Sequence, residues 1–209
     1  MNLITPYIFN ILRTLKGVNP GDCYYEEYLK HYKREGKEFF DQYHLAVGRV
    51  VMVTPPKRIL EIGVRTGISI CNMLSAYVDY SVLERVVLID LWNDGFVSPE
   101  IVKINLKHLN IPIDKIEFIT GNSLDVVPEL EDRFDYILVD GDHTKQIARK
   151  DLENVVRLCA KDGVIVFDDL TPHGCNLQDV WDSFKKAYEH TFIFNEDHHG
   201  KGVGWAIKK

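Results

Sequence analysis

The sequence predicts an α/β fold: a doubly wound, mostly parallel sheet of seven strands with a C-terminal antiparallel hairpin, preceded by N-terminal helices. Three observations predict it. From residue 57 onward, short β-branched runs alternate with helical patterns, a rhythm that requires right-handed crossovers. The apolar runs span four to six residues without alternation, as in strands covered on both faces. After residue 190 the rhythm stops, and two strand-like runs are joined by a polar, glycine-containing loop with no helix between them.

The elements follow in order. Thr5 and Pro6 form a cap and first-turn pair and Gly17 a stop; between them Leu3, Ile4, Tyr7, Ile8, Ile11, Leu12 and Leu15 share one helical face. That face points to packing on the body or on a partner subunit, as in a homodimer, or to a lid over a ligand; a membrane-surface helix is the weakest reading, since the polar face carries only Arg13 and Lys16. After a break at Asn19-Pro20-Gly21, two helical segments cover 23–34 and 37–53, divided by Gly36. The first carries Tyr24, Tyr25, Tyr28 and Tyr32, a spacing more typical of a core or interface than of a substrate wall. Pro55-Pro56 ends this preamble, so we divide the chain into a helical lid or dimerisation segment (1–54) and a main domain (55–209). The main domain then reads strand 58–62, helix 69–78, strand 85–90, helix 99–109, strand 115–119, helix 124–130, strand 134–139, helix 144–159, strand 163–167 and helix 177–190. Strands 191–195 and 202–208 form the hairpin.

Composition bounds the function. A chain of 209 residues with 45% hydrophobic and 27% charged residues has room for one domain and a core that needs no staples. Apolar runs of about five residues cannot span a bilayer. There is no basic n-region or small-residue cleavage site at the N-terminus, which argues against a signal peptide. Cys23, Cys71, Cys159 and Cys175 lie far apart without CxxC spacing, arguing against a zinc knuckle or disulfide framework and for a reducing, cytoplasmic setting. A net charge of −6 weighs against nucleic acid as the main partner.

In an open parallel sheet, ligands bind beyond the carboxyl ends of the strands. The first strand ends in EIGVRTG, where Gly63 and Gly67 permit a tight turn and a close backbone approach to a ligand. The G-x-x-x-G spacing is not the dinucleotide fingerprint, which weighs against a nicotinamide dehydrogenase. Glu61, an acid on a buried strand, needs a partner. Asp90 ends the second strand, where a carboxylate suits ribose hydroxyls. Gly121-Asn122-Ser123 follows the third; it suits an adenine edge, or a helix cap by Ser123. The fourth and fifth strands end in DGDH (140–143) and DD (168–169). Single acids there would be caps; clustered carboxylates repel one another and favour a cation, a shared proton or a hydrogen-bonded substrate. Oxygen-only ligands select Mg²⁺ or a similar hard ion. His198-His199 in the hairpin loop reads as solvated, and Trp92 as either an adenine neighbour or a cover for the sheet.

Taken together, RILEIGVRTGISI, GNSLDVVPEL, DYILVDGDH and GVIVFDDL resemble the class I S-adenosylmethionine-dependent methyltransferases, which share a Rossmann-like doubly wound sheet. Within them the sequence is similar to the metal-dependent O-methyltransferases, both the catechol type and the branch of macrocin O-methyltransferase and cephalosporin-hydroxylase-like proteins. The resemblance implies that Gly63, Arg65, Thr66 and Gly67 line the methionine end of S-adenosylmethionine, Asp90 the ribose, and Asn122 and Ser123 the adenine, with Glu61 also among the cofactor-binding residues. It implies a divalent cation, Mg²⁺ by preference, on Asp140, Asp168 and Asp169. The base falls on Asp142 by one branch; where the other has lysine this chain has His143, so both stay candidates, with His143 also read as orienting Asp142. The expected reaction is methyl transfer to a hydroxyl of a small molecule (sugar, phenol or natural product). The alternatives are aminopropyl transfer and a non-catalytic cofactor-binding subunit of a larger complex.

Overall fold

A computed structural model describes residues 55–209 except 76, 78, 94–96, 109 and 199. The expected N-terminal helices and their lid or dimer role therefore lie outside the described residues. The strands are β1 (Arg58–Ile62), β2 (Arg85–Asp90), β3 (Ile116–Thr120), β4 (Phe134–Val139), β5 (Cys159–Phe167), β6 (Phe192–Asp197) and β7 (Val203–Lys208). The helices are α1 (Ile68–Ser75), α2 (Pro99–His108), α3 (Ser123–Glu129), α4 (Lys145–Val155) and α5 (Gln178–Tyr188). They build a seven-stranded sheet in the order β3-β2-β1-β4-β5-β7-β6. The first five strands in that order run parallel; β7 is antiparallel to both β5 and β6. The expected fold class, hairpin included, is the observed one.

The lack of alternation in the strands has its cause in the two layers. Ile59, Val86, Leu88, Tyr136 and Leu138 face one layer, where α1 and α2 contribute Ile70, Leu74, Val102 and Leu106. Leu60, Val87, Ile137, Ile165 and Phe167 face the other, against Ala148, Leu152, Val180, Trp181 and Phe184 from α4 and α5. Both faces being covered, apolar residues occupy successive positions.

Most boundaries shift by one to three residues; the largest difference lies between α4 and β5. The helix expected over 144–159 ends at Val155, and Cys159 already belongs to β5. The apolar spacing continues past the helix through Val156 and Leu158, which mimics another turn. Instead Leu158 accepts from the Phe134 amide (2.8 Å) and Cys159 pairs with Phe134. A register shift between Phe134 and Tyr136 then absorbs the polar Lys161-Asp162 stretch, with Asp162 in the left-handed region (φ 61°).

An aromatic cluster locks the hairpin to the body. The Trp181 ring lies 5.9 Å from Phe167 and 5.6 Å from both Phe184 and Phe194. Gly204 of β7 makes room for it: a Cβ there would meet the Trp181 ring at 2.4 Å. We expect Trp181→Ala to cost about 3–5 kcal/mol in urea unfolding. Trp181→Phe should cost less, because the buried Trp181 Nε1 has no hydrogen-bond acceptor to lose.

Candidate functional site

The site grows from strands that end flush. In the sheet register Ile62 lies beside Val139, and Val139 beside Phe167. The next residues, Gly63, Asp140 and Asp168, therefore reach the same edge together. Two further bonds extend the ladder there: Asp140 N to Ile62 O (2.9 Å) and Gly63 N to Ile89 O (2.9 Å). This edge is the switch point where chain order reverses between β1 and β4, the usual ligand crevice of such sheets.

Asp140, Asp168 and Asp169 converge at this edge, each offering an oxygen within 4.8 Å of the others. Asp168 is 3% exposed and Asp169 1%, while Asp140 is partly open. The buried Asp168 Oδ1 has no hydrogen-bond partner. Burial, then the charges of Asp140 and Asp169, holds the Asp168 carboxyl well above its usual range. The Asp140 carboxyl is raised too, first by burial and then by Asp169, against His143 and Lys201. For Asp169 burial pushes upward, but His143 and Lys201 outweigh it and hold the group low. His143 Nε2 lies 2.8 Å from Asp169 Oδ2 and 3.4 Å from Asp140 Oδ1, and Lys201 Nζ lies 3.4 Å from Asp169 Oδ1. Hydrogen bonds to Asp140 and Asp169 push the His143 imidazole up to about 10.

The two base candidates thus sit differently. His143 bridges the carboxylates. Asp142 turns to its own loop, accepting from the Thr144 amide (2.7 Å), and its charge acts on Asp151.

The turn after β1 forms the second half of the site. Gly63 (φ 84°) and Gly67 (φ 78°) are both left-handed, and Arg65 between them also has positive φ (50°). Asp90 ties this turn down: Oδ2 accepts from the Val64 and Arg65 amides (both 2.7 Å), and Oδ1 from the Trp92 amide (2.7 Å). Trp92 completes the clasp by donating from Nε1 to Arg65 O (3.2 Å). Thr66 O accepts from the buried Asn105 side chain of α2 (3.0 Å). Glu61 lies beneath, 0% exposed, with neither oxygen hydrogen-bonded. Burial, then Asp140 and Asp90, raises its carboxyl well above the ordinary range. Beyond β3, the cap of α3 is Asn122, not Ser123: Asn122 Oδ1 accepts from the Leu124 amide (2.9 Å). His198 pairs with Glu196 (3.4 Å), in keeping with a polar loop; His199 lies outside the described residues.

Three members of this neighbourhood escaped the sequence reading. Lys201 and Cys175 lie in aperiodic loops: Lys201 reaches Asp169 because β5 and β7 pair, Phe167 beside Gly204, with bonds running on to Leu170–Gly202 and Thr171–Lys201, and Cys175 because the loop after β5 folds back, Leu177 N donating to Asp169 O (3.0 Å). Asp151 had a signal. It interrupts the buried stripe Ala148, Leu152, Val155 of α4, and is itself 0% exposed under Gly141, whose added Cβ would lie 3.4 Å from Asp151 Oδ2.

Burial pushes the Asp151 carboxyl up to about 6, with Ser123 opposing and Asp142 adding. A raised folded-state pKa means the folded protein holds the proton after the unfolded chain has lost it. Stability is then lost as pH rises from about 4 to about 6 and stays lost above. Asp151→Asn should remove this loss, gaining about 2–3 kcal/mol over wild type at pH 7 and little at pH 4. Urea midpoints of the two proteins across that window check it.

Residues 60–170 match the model of a family described as methyltransferase domain. No curated protein sequence matches the chain. Among solved structures it is similar to the O-methyltransferase from Bacillus cereus in complex with SAH, at 21% identity and TM-score 0.62, over 80% of each chain. It is similar to TomG from Streptomyces achromogenes, an O-methyltransferase involved in tomaymycin synthesis, in complex with SAM. That likeness has 20% identity and TM-score 0.62, over 81% of this chain and 80% of TomG. The N-methyltransferase NodS from Bradyrhizobium japonicum, with S-adenosyl-L-homocysteine, shares 15% identity and TM-score 0.58, over 84% of this chain and 90% of NodS. At these identities the structural likeness is one of fold.

Proposed function

Given that the chain belongs to the methyltransferase-domain family, we propose that it moves a methyl group from S-adenosylmethionine to a hydroxyl of a small molecule. A divalent cation on Asp140, Asp168 and Asp169, Mg²⁺ by preference, is part of the proposal. The observation that carries it is the buried Asp168 oxygen without a partner, set among two further carboxylates at the ligand edge of the sheet. Such a group costs stability unless something positive joins it.

The residues fit both absent groups. Three carboxylates offer only oxygen, the donor set of a hard cation. Glu61, buried and unpartnered, suits the ammonium end of an amino-acid-bearing cofactor. The Asp90 oxygens keep lone pairs beyond the three amides they accept from, which suits ribose hydroxyls. Asn122 and Ser123, at the turn after β3, would flank the adenine. The cofactor supplies a methyl on a sulfonium, already electrophilic; the cation, when bound, lowers the pKa of a hydroxyl it touches.

The rest falls to the chain. The Gly63–Gly67 turn, held by Asp90 and Trp92, fixes the donor, and the flush strand ends bring the acceptor site beside it, so orientation supplies much of the rate. His143 takes the hydroxyl proton. Its reach to Asp140 and Asp169 supports that role over Asp142, which is engaged with its own turn. The two carboxylates otherwise keep the imidazole protonated, so it serves as a base only when their charge is met from elsewhere.

The acidic cluster also favours oxygen over nitrogen as the acceptor, since a hydroxyl gains more from a lowered pKa than an amine does. It likewise favours methyl over aminopropyl transfer. Net charge of −6 supports a small molecule over nucleic acid, and the apolar periodicity of the sequence over residues 3–15 supports a homodimer. No helix among the described residues is long and apolar enough to cross a membrane. Well-separated cysteines, with an exposed Cys175, support a reducing, cytoplasmic setting. Calorimetry with S-adenosylhomocysteine and MgCl₂, followed by methyl transfer to a panel of hydroxylated acceptors with and without EDTA, tests the reading. Cofactor binding without turnover of any acceptor would favour the non-catalytic subunit; turnover indifferent to EDTA would remove the cation.

A further inference from the structure

Asp169 belongs to two groups of metal-ligand type, and only one is made of oxygen. His143, Asp169 and Cys175 also bring a ring nitrogen, a carboxylate oxygen and a thiol sulfur within 4.8 Å of one another. We propose that these three residues form a second, mixed-donor site that takes a borderline divalent ion of the Zn²⁺ type and competes with the oxygen site through the shared Asp169. The site itself goes beyond the methyl-transfer reading and does not depend on it; its effect on activity rests on that reading.

The donor chemistry differs in kind from the neighbouring cluster. Imidazole, carboxylate and thiolate form a common zinc set, whereas Mg²⁺ has little use for nitrogen or sulfur. The geometry is close to what such an ion needs. His143 Nε2 and Asp169 Oδ2 are 2.8 Å apart; around a tetrahedral zinc, with bonds of about 2.0–2.1 Å, they would stand about 3.3 Å apart. The pair needs to open by only about half an ångström. Lys201 stays on the other oxygen, Asp169 Oδ1 (3.4 Å), leaving Oδ2 to the ion.

Two further observations point to a ligand. Asp169 is 1% exposed, and its oxygens are met by the His143 imidazole (2.8 Å), the Lys201 ammonium (3.4 Å) and the Cys175 thiol, so two of its three neighbours are themselves metal-ligand groups. The chain also packs tightly around this side chain: a Cβ on Gly174 would fall 2.3 Å from Asp169 Oδ1. The buried carboxylate is thus fixed, while His143 and Cys175 are exposed and reach it from the open side. That arrangement gives an entering ion one rigid anchor and two adjustable arms. Three protein donors leave a fourth position open to water or another small ligand.

The two sites exclude each other by chemistry. An ion on His143 and Asp169 Oδ2 draws one carboxylate from the oxygen cluster and the imidazole from proton transfer. The enzyme would then be switched off by traces of zinc at magnesium concentrations that otherwise saturate it.

Cobalt(II), a zinc substitute with a visible spectrum, gives the test on full-length protein. Titration of the wild type should produce one equivalent of a thiolate-to-cobalt charge-transfer band, bleached by Zn²⁺ and shifted to higher cobalt concentration by excess Mg²⁺. Cys175→Ser should lose the band and weaken Zn²⁺ binding by about a hundredfold or more. Asp168→Asn, which damages only the oxygen site, should keep the band. No band in the wild type, or a band that survives Cys175→Ser, overturns the proposal. Mn²⁺ binding, followed by electron paramagnetic resonance in wild type and Asp168→Asn, reports the oxygen site separately, so the two readings fail independently.

Discussion

Asp168→Ala should abolish metal-stimulated methyl transfer, lowering kcat/KM by about 10³-fold or more, while S-adenosylhomocysteine binds within about threefold of wild type. The separation follows from where the residue sits. Asp168 directly follows β5, with β4 between it and the β1 turn, and clusters with Asp140 and Asp169. It is not in the Gly63–Gly67 turn or among the groups that Asp90 ties together. Parallel loss of cofactor affinity and turnover would mean that the acids organise the whole edge, not a cation.

The same substitution carries a second, opposite signature. Burial and two neighbouring carboxylates raise the Asp168 carboxyl, so without a cation the folded state resists its ionisation. Stability is then present at low pH and is lost as pH rises above the ordinary carboxyl range near about 4. Asp168→Ala should remove part of that loss and raise Tm at neutral pH in EDTA. It should also shrink the gain in Tm that MgCl₂ gives the wild type. A residue whose removal stabilises the empty protein and stops the reaction is kept for its chemistry.

The fold was legible for a reason visible in the strands. Runs such as Val86-Val87-Leu88-Ile89 need cover on both faces, and only helices between parallel strands provide it. The acids were legible for the same reason, since Asp90, Asp140 and Asp168 each directly end or follow such a run. Local signals stop at local contacts. Nothing in KGVGWA tells that Lys201 stands beside Asp169, because that proximity comes from the antiparallel register of β5 and β7. Cys175 is hidden in the same way by an aperiodic loop. Asp151 is the opposite case: its place in the apolar stripe of α4 is readable, but no local signal tells that the stripe lies under Gly141 at the strand edge. The cap at Asn122 and the end of α4 show the ordinary limit, where a one-residue offset or an apolar residue past a helix leaves the pattern ambiguous.

Gly63→Ala should be the most damaging single methyl in the domain, lowering stability by about 3–4 kcal/mol and weakening S-adenosylhomocysteine binding by about a hundredfold or more. Two costs combine. Gly63 has φ 84°, where an L side chain is strained. Its Cβ would also fall 1.9 Å from Asp140 O and 2.8 Å from Gly141 Cα, and both are backbone. No rotamer change relieves that clash; the β1 turn has to move off the end of β4 and away from the acidic cluster. Gly67→Ala is the control. It shares the positive φ (78°), but its Cβ would meet Val102 Cγ1 at 2.6 Å, the end of a side chain on α2. Gly67→Ala should therefore cost less, about 1–2 kcal/mol, and shortening the neighbour in Gly67→Ala/Val102→Ala should recover part of the lost binding. Calorimetry and urea midpoints on the three variants decide the matter. Gly63→Ala that binds the cofactor as well as Gly67→Ala does would show that the two strand ends need not touch, and the close joining of donor turn and acidic cluster would lose its basis.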